Sequence, residues 1–598
     1  STLAILAVAA TATLGGLSLV SGNPVPDVIA DADSTIVNKT SEGEATKYYV
    51  GTPEEGAAQT GTSEDDPMSP DLFQSKLVDL KPGDIVYILP GIHVANSTWA
   101  IGRMSDSETT GKYVNGSYDD YIVFKALDPT KDTGLSFYNQ SFGSTNRGVH
   151  IYGDYYYWSG IDVCGAGDNG LYIGGNYNVV EDCEFYDNRD TGLQLGRNYS
   201  SNGTINTWPN YNLVRNCTSH NNYDNETKGE NADGFAAKLT VGYHNVFDGC
   251  IAYRNSDDGW DLYGKDDTGI IGTVYMYNCV AFENGFLEYT QKESNDKYPN
   301  VLESALETNQ NTYMTANGDG NGFKLGGSTL EGDVFVYNCY AFNNRMHGVT
   351  DNSNPGVISL TNVTSYNNSA IIDNTPGSDT FGQITSCDNE HNNIDMARSE
   401  SSYNNFTGIL SVFNGRTNTG NDAYLGSAEN SLLVAGNKWN KIEDAYDANS
   451  ITGRNGQSVD SVAAENIFAA LPANNLGVDR ELDIHTAWRN ADDSINMGDI
   501  LKIKDYSVLG FAEGEIGANL SLTSQDGYTL PDYTFLTGEE SETEAKAQAI
   551  YDMIYLPVKQ NAVYQDFDLA TAMVGSVNVS WSSSNEGVIS ISDKITTS

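Results

Sequence analysis

The chain is short of positive charge. Its 598 residues carry 32 Lys+Arg against 80 Asp+Glu, a net charge of −48. Nucleic acid is excluded as a partner, because phosphate recognition needs a basic footprint. Such a surface also fails to draw in an acidic polymer by long-range attraction, so an anionic substrate calls for a local metal cation. Proline is scarce, at 15 residues. Beyond residue 22 no stretch is apolar enough to cross a bilayer. The leucine and alanine periodicities of helical or leucine-rich repeats are missing too. There are seven cysteines, but their spacing is not that of a disulfide framework.

What is abundant is glycine (60), tyrosine (37) and asparagine, a composition of many short strands and turns. The cysteines mark an internal repeat. Cys183, Cys217, Cys250, Cys279, Cys339 and Cys387 are each followed five positions on by Asn188, Asn222, Asn255, Asn284, Asn344 and Asn392. Three positions on stand Tyr186, His220, Tyr253, Phe282 and Phe342, with Glu390 breaking the aromatic series. Val363 takes the place of cysteine in one further copy, and Cys164 starts a looser one. The period runs from 19 to 34 residues with one long interruption. A small apolar residue followed by a turn asparagine fits one coil of a parallel β-helix. The cysteines then stack as small hydrophobes, and the asparagine amides bond from coil to coil.

A second strand follows each turn, opened by Gly170, Gly192, Gly234, Gly259, Gly322 and Gly348. The residue after each glycine is apolar and faces inward; the next faces solvent. The position before the glycine then stacks Asp233 on Asp258, with Asp257 beside it. The second position after the glycine stacks Asp261 and Lys324. Four carboxylates converge from two adjacent coils with a lysine at their side. An all-oxygen set of this kind suits Ca²⁺ better than zinc or copper; the alternative is an acidic turn without metal. The segment 285–320 loops out before Lys324. Within it, Asn317-Gly-Asp-Gly-Asn-Gly322 resembles the start of a calcium loop but lacks the acidic twelfth residue, and reads as a glycine-rich turn.

The stretches "ENADGFAAKLTVGYHNVFDGCIAYRNSDDGWDLY" (Glu230 to Tyr263) and "GNGFKLGG" (Gly320 to Gly327) resemble the family 9 polysaccharide lyases, which include pectate lyases and rhamnogalacturonan lyases. The resemblance implies a catalytic Ca²⁺ held by Asp233, Asp257, Asp258 and Asp261, with Lys324 as the base. It implies a secreted, calcium-dependent lyase that cleaves polygalacturonate, an acidic plant cell-wall polysaccharide, by β-elimination; rhamnogalacturonan is the alternative substrate. Lys238 and Arg345 are candidates for binding substrate carboxylates. Two other readings stay open: a polygalacturonase-type hydrolase, although its Gly-His-Gly and Arg-Ile-Lys segments are missing, and a non-catalytic carbohydrate-binding adhesin.

The expected fold is all-β: a right-handed parallel β-helix with capping segments, plus a truncated C-terminal immunoglobulin-like module. Residues 1–22 read as part of a signal peptide, 23–45 as a linker, 46–520 as the β-helix domain, 521–542 as a second linker and 543–598 as the partial module. The stretch Ser69 to Asp84 suits a short helix capping the first coil. The mature chain is expected to be a monomer without a membrane span.

Overall fold

The computed structural model describes residues 45–521, except 118–119, 298–310, 314–317, 389, 397–404, 492, 510 and most of 413–463, together with short strands towards both chain ends. It divides into two units. The smaller unit comprises residues 1–42, 118–120 and 529–598. In it Val8–Leu14, within the stretch read as a signal peptide, pairs antiparallel with Val577–Ser583. The linker readings at 23–44 and 522–542 lie outside the described residues, as does much of the immunoglobulin-like reading.

The larger unit, residues 43–117 and 121–528, is a parallel β-helix. Its three sheets contain twelve, twelve and ten strands. Sheet A begins at Lys47–Val50, sheet B at Gly91–Val94 and sheet C at Trp99–Ile101. Each coil adds one strand to A, then B, then C. In one coil these are Asn245–Asp248, Ile251–Tyr253 and Trp260–Asp261.

The repeat explains this architecture corner by corner. Between sheets A and B sits the column Cys183, Cys217, Cys250, Cys279, Cys339, every member buried as a free thiol. Each thiol donates to the carbonyl two residues back, as Cys279 does to Tyr277 at 3.1 Å. The residue before each cysteine has a left-handed backbone: Asp182, Asn216, Gly249, Asn278 and Asn338. Asn, Asp and Gly tolerate that conformation best, which is why they recur there.

Between sheets B and C runs an asparagine ladder. The side-chain amides of Asn188, Asn222, Asn255, Asn284, Asn344 and Asn368 each donate to the Oδ1 of the next rung, ending at Asn393, over 2.8 to 3.0 Å. Each Oδ1 also accepts a backbone N–H from the rung before, as Asn284 does from Asn255 at 3.3 Å. Buried amides are thereby satisfied without water. Outside this corner the rings of Tyr186, His220, Tyr253, Phe282 and Phe342 stack at 4.7 to 5.4 Å.

Two positions depart from the spacing read in the sequence. Cys387 does not extend its column. It belongs to an antiparallel pair, Ala370–Ile372 with Ile384–Cys387, inserted between a sheet B strand and a sheet C strand. Ile409 holds the corner instead, directly before Leu410, and Asn393 rather than Asn392 carries the ladder. Likewise Cys164 ends the strand Asp162–Cys164, and Ile161 is the corner residue of that coil. An inserted hairpin changes the count along the chain while leaving the stacking intact.

The glycines that open sheet C also have a packing cause. A Cβ on Gly259 would lie 2.6 Å from the carbonyl oxygen of Gly322 in the next coil, and one on Gly322 2.5 Å from that of Gly348. The coils approach too closely there for any side chain.

At the N-terminal end a short helix, Pro70–Phe73, is capped by the Ser69 hydroxyl. Phe73 packs against Tyr48 and Trp99 of the first rung, with ring centres 5.6 Å away in each case. This covers the edge that a bare terminal coil would expose. Residues 464–520 fold back along sheet B. There Ile467, Phe468, Ile484 and Trp488 bury the outer side chains of Tyr253, Phe282, Tyr340 and Phe342. Among the described residues no helix is long and apolar enough to cross a membrane.

Candidate metal and catalytic site

Sheet C leaves its outer face uncovered by a second sheet, and the site is built there. Inward, Phe235, Trp260 and Phe323 stack at 4.9 and 4.8 Å and fix the height of three successive strands. Outward, the register places Ala236 beside Asp261 and Asp261 beside Lys324. The positions before the glycines bring Asp233 under Asp258, whose backbone N–H donates to Asp233 Oδ1 at 3.2 Å.

The aspartates form two groups that share Asp258. Asp233, Asp258 and Asp261 offer carboxylate oxygens within 4.8 Å of one another, and so do Asp257, Asp258 and Asp319. Lys324 Nζ lies 3.0 Å from Asp258 Oδ2, 3.5 Å from Asp319 and 3.8 Å from Asp261. Lys238 Nζ lies 2.6 Å from Asp233 and 3.4 Å from Asp261. Lys238 is therefore a buried member of the cluster. Arg345 stands behind it and donates to the Gly318 carbonyl, supporting the turn that carries Asp319. Lys265, a further basic residue of this region, is half exposed and 3.8 Å from Asp267.

Sequence reasoning passed over Asp319. Its signal was the glycine-rich turn from Asn317 to Gly322. Asp257 clasps that turn, accepting the Asp319 N–H at 2.5 Å on one oxygen and the Asn231 N–H at 2.9 Å on the other. Asn321 donates both its backbone and its side-chain N–H to Asp258 Oδ1, at 2.7 and 2.8 Å. Thr191, from a coil further back, donates to Asp233 at 3.1 Å.

Acidic groups outnumber basic ones in the cluster. Five carboxylates (Asp233, Asp257, Asp258, Asp261, Asp319) face two ammonium groups (Lys238, Lys324) and the Arg345 guanidinium, leaving two negative charges when all are ionised. Burial, then repulsion by Asp261 and Asp258, pushes Asp233 up to about 8 despite Lys238. Burial also drives Asp258 up to about 6 and, with Asp258 and Asp233 adding to it, Asp257 well above the carboxylate range. Burial works against the charge of Lys324, but Asp258, Asp261, Asp257 and Asp319 outweigh it and hold the ammonium well above the ordinary lysine range. Asp258 Oδ2 is buried, and its partner there is the Lys324 ammonium at 3.0 Å. Crowded carboxylates short of positive charge, with oxygen donors only, fit a hard divalent ion such as Ca²⁺.

Residues 48–404 match the family described as "Pel9A-like, right handed beta helix region". The chain belongs to this family. The two aspartate groups and Lys324 all fall within the matched span. Among the relatives is pectate lyase L of Paenibacillus polymyxa (strain SC2), 38% identical over 296 residues, covering 50% of this chain and 58% of the relative. Another, pectate lyase L of Dickeya chrysanthemi, is 30% identical over 353 residues, covering 58% of this chain and 70% of the relative. The chain spans 58% and 20% of the lengths of the Paenibacillus polymyxa and Thermoclostridium stercorarium relatives. The crystal structure of pectate lyase Pel9A aligns with a TM-score of 0.48 at 23% identity, over 76% of this chain and 88% of that one.

Proposed function

We propose that the chain is a secreted, calcium-dependent lyase of acidic plant cell-wall polysaccharide, with polygalacturonate as substrate. The observation that carries this reading is Lys324: an amine 3.0 Å from Asp258, in the same constellation as a three-aspartate group within 4.8 Å. The family's pectate lyase relatives support the substrate class.

Asp233, Asp258 and Asp261, with Asp257 beside them, would hold Ca²⁺. When bound, the ion supplies positive charge beside the uronate carboxylate and offsets the charge that builds up as the neighbouring carbon loses its proton. The remaining steps belong to the chain. Neutral Lys324 takes the C5 proton. The C5–H electron pair becomes the C4–C5 double bond, and the C4–O bond breaks with its electrons leaving on oxygen. That oxygen takes a proton from solvent, to which the Lys324 ammonium later returns one, so no water is consumed in the balance. Asp258, Asp261 and Asp319 aim the amine. Their charges must be compensated before it loses its proton, so turnover rises towards alkaline pH. Arg345 contributes by steadying the Asp319 turn, and Lys238 by holding Asp233 and Asp261 in place between turnovers.

The test is ultraviolet absorbance of the unsaturated product from polygalacturonate, with calcium and with chelator. Absorbance that grows only with calcium supports the reading. Product without an absorbing double bond, formed in chelator, means a hydrolase; full activity at pH 5 removes Lys324 from the base role.

A further inference from the structure

The outer column of sheet C continues well beyond the aspartates. From Lys324 towards the N-terminal end the same position holds Asp261, Ala236, Gln194, Tyr172 and His150. Acidic residues give way to aromatic and basic ones. Arg147 lies with its guanidinium carbon 3.4 Å from the centre of the Tyr172 ring, and its Nη1 is 3.1 Å from His150 Nδ1. His150 stacks on Tyr152 at 3.6 Å. Arg103 reaches over Tyr152 and Tyr199 at 5.6 and 6.0 Å, and its Nε donates to the Tyr199 hydroxyl at 3.1 Å.

This cluster reverses the sign of the surface around it. The chain as a whole has 80 acidic and 32 basic residues, yet two guanidinium groups stand together here on a bed of tyrosine rings. Their acidic neighbours are few: Asp168 lies 3.5 Å from Arg147, and Glu108 lies near Arg103. Arg103 is exposed, and the Arg147 side chain keeps 20% of its surface open. Guanidinium forks bind carboxylates in a two-bond fashion, and here the buried rings of Tyr172 and Tyr152 lie beneath the guanidinium groups and hold them in place.

We infer that the Arg103–Arg147 face is a distal subsite for the acidic polysaccharide, gripping a carboxylate several sugars away from the bond that is cut. The inference rests on the lyase reading and deepens it. Tyr172 is four strands from Lys324, roughly 19 Å at one strand spacing per step. A 1,4-linked chain advances by a comparable length per ring, so a polymer laid along the helix axis reaches both places at once. A short oligomer at the aspartates reaches only one. The subsite therefore adds affinity for long chains and leaves the chemical step alone, an effect on KM and not on kcat.

The experiment measures calorimetric affinity of Lys324→Ala protein, with calcium, for galacturonate trimer and octamer. The same measurement follows in that background with Arg103→Glu and, separately, Arg147→Lys. Ultraviolet turnover of the otherwise unaltered enzyme runs in parallel. Expected is a loss of about tenfold or more for the octamer and none for the trimer, the scale of one charged hydrogen bond. Arg103 is exposed, so its variant folds, and melting curves check both. Octamer affinity unchanged by either substitution, or no binding of the octamer at all, overturns the subsite. A silent turnover assay with octamer affinity still lost removes the lyase reading and leaves the subsite standing.

Discussion

Two columns of the β-helix lie a few residues apart on the same turns and obey opposite rules. The asparagine ladder between sheets B and C repeats one residue from Asn188 to Asn368, and each amide is satisfied by the next. The column before the sheet C glycines changes at almost every rung: Arg147, Asn169, Thr191, Asp233, Asp258, Asn321. In its middle it packs more negative charge than its neighbours balance. The ladder lowers the free energy of stacking and has nothing left to offer a ligand. The acidic column keeps unbalanced charge in place because the ladder and the core hold it there. The two columns illustrate how a solenoid separates stability from function: repetition serves the first and departure from repetition the second.

Lys324→Ala breaks the comparison on the functional side. Kinetics with calcium should show kcat down by about 10²–10⁴-fold, the span of a general base. The variant keeps all five aspartates, so on the proposed reading calcium should still raise its melting temperature. A loss of folding along with activity would mean that Lys324 belongs to the stabilising column.

Gly259→Ala strikes both columns, because Gly259 follows Asp258 and faces the ladder. Its new Cβ would meet the Gly322 carbonyl at 2.6 Å and the Asn284 amide at 2.8 Å. Denaturation should lose about 1–3 kcal/mol, the cost of an overpacked site. Turnover should fall as well, since Asp258 moves with its neighbour. Asn284→Leu sharpens the contrast. It removes the side-chain partners of Asn255 and Asn344, while the backbone N–H of residue 284 still donates to Asn344, and should cost about 1–3 kcal/mol for the groups left unsatisfied. Well below its melting point it should turn over like the parent. A drop in kcat would show that the ladder tunes the chemistry and does more than hold it.

The same contrast explains what could be read without a structure. Columns that repeat a residue announce themselves, so Cys183 to Cys339 and Asn188 to Asn344 were legible, and with them the coil. The glycines then set the register that stacks Asp233 on Asp258 and Asp261 on Lys324. Cys387 misled because an inserted hairpin supplied a cysteine near the expected spacing. Asp319 was missed because it sits in the 285–320 excursion, where no periodicity says which residue returns to the coil. The left-handed corners at Arg254 and Glu283 were also hidden. These residues take a conformation that suits Asn or Gly and meet in a fully buried ion pair at 2.7 Å. No local pattern foretells that pair.

The smallest predicted effect tests whether a stabilising column can carry charge at all. His220 stacks in the ring column between Tyr186 and Tyr253, where other rungs have phenylalanine. Burial pushes its imidazole down, but Glu184, 2.5 Å away, overrides this and raises it. Burial pushes Glu184 up, and His220 in turn brings it below the usual range. By linkage, the His220 contribution is complete below its unfolded value of about 6.5 and is lost as pH rises through the raised folded value. The Glu184 contribution is present above its unfolded value and lost as pH falls through the lowered folded value. Between those limits the pair adds most. His220→Phe keeps the ring stack and removes the charge. The melting temperature of the parent should exceed that of the variant most near pH 6, by a few degrees. The gap should narrow as the pH rises past the His220 value, and it should not close, because neutral imidazole still donates to Glu184. Turnover should be unchanged, since the column faces sheet B and not the aspartates. A gap that stays constant from pH 6 to 9 would mean that His220 acts there as a ring only.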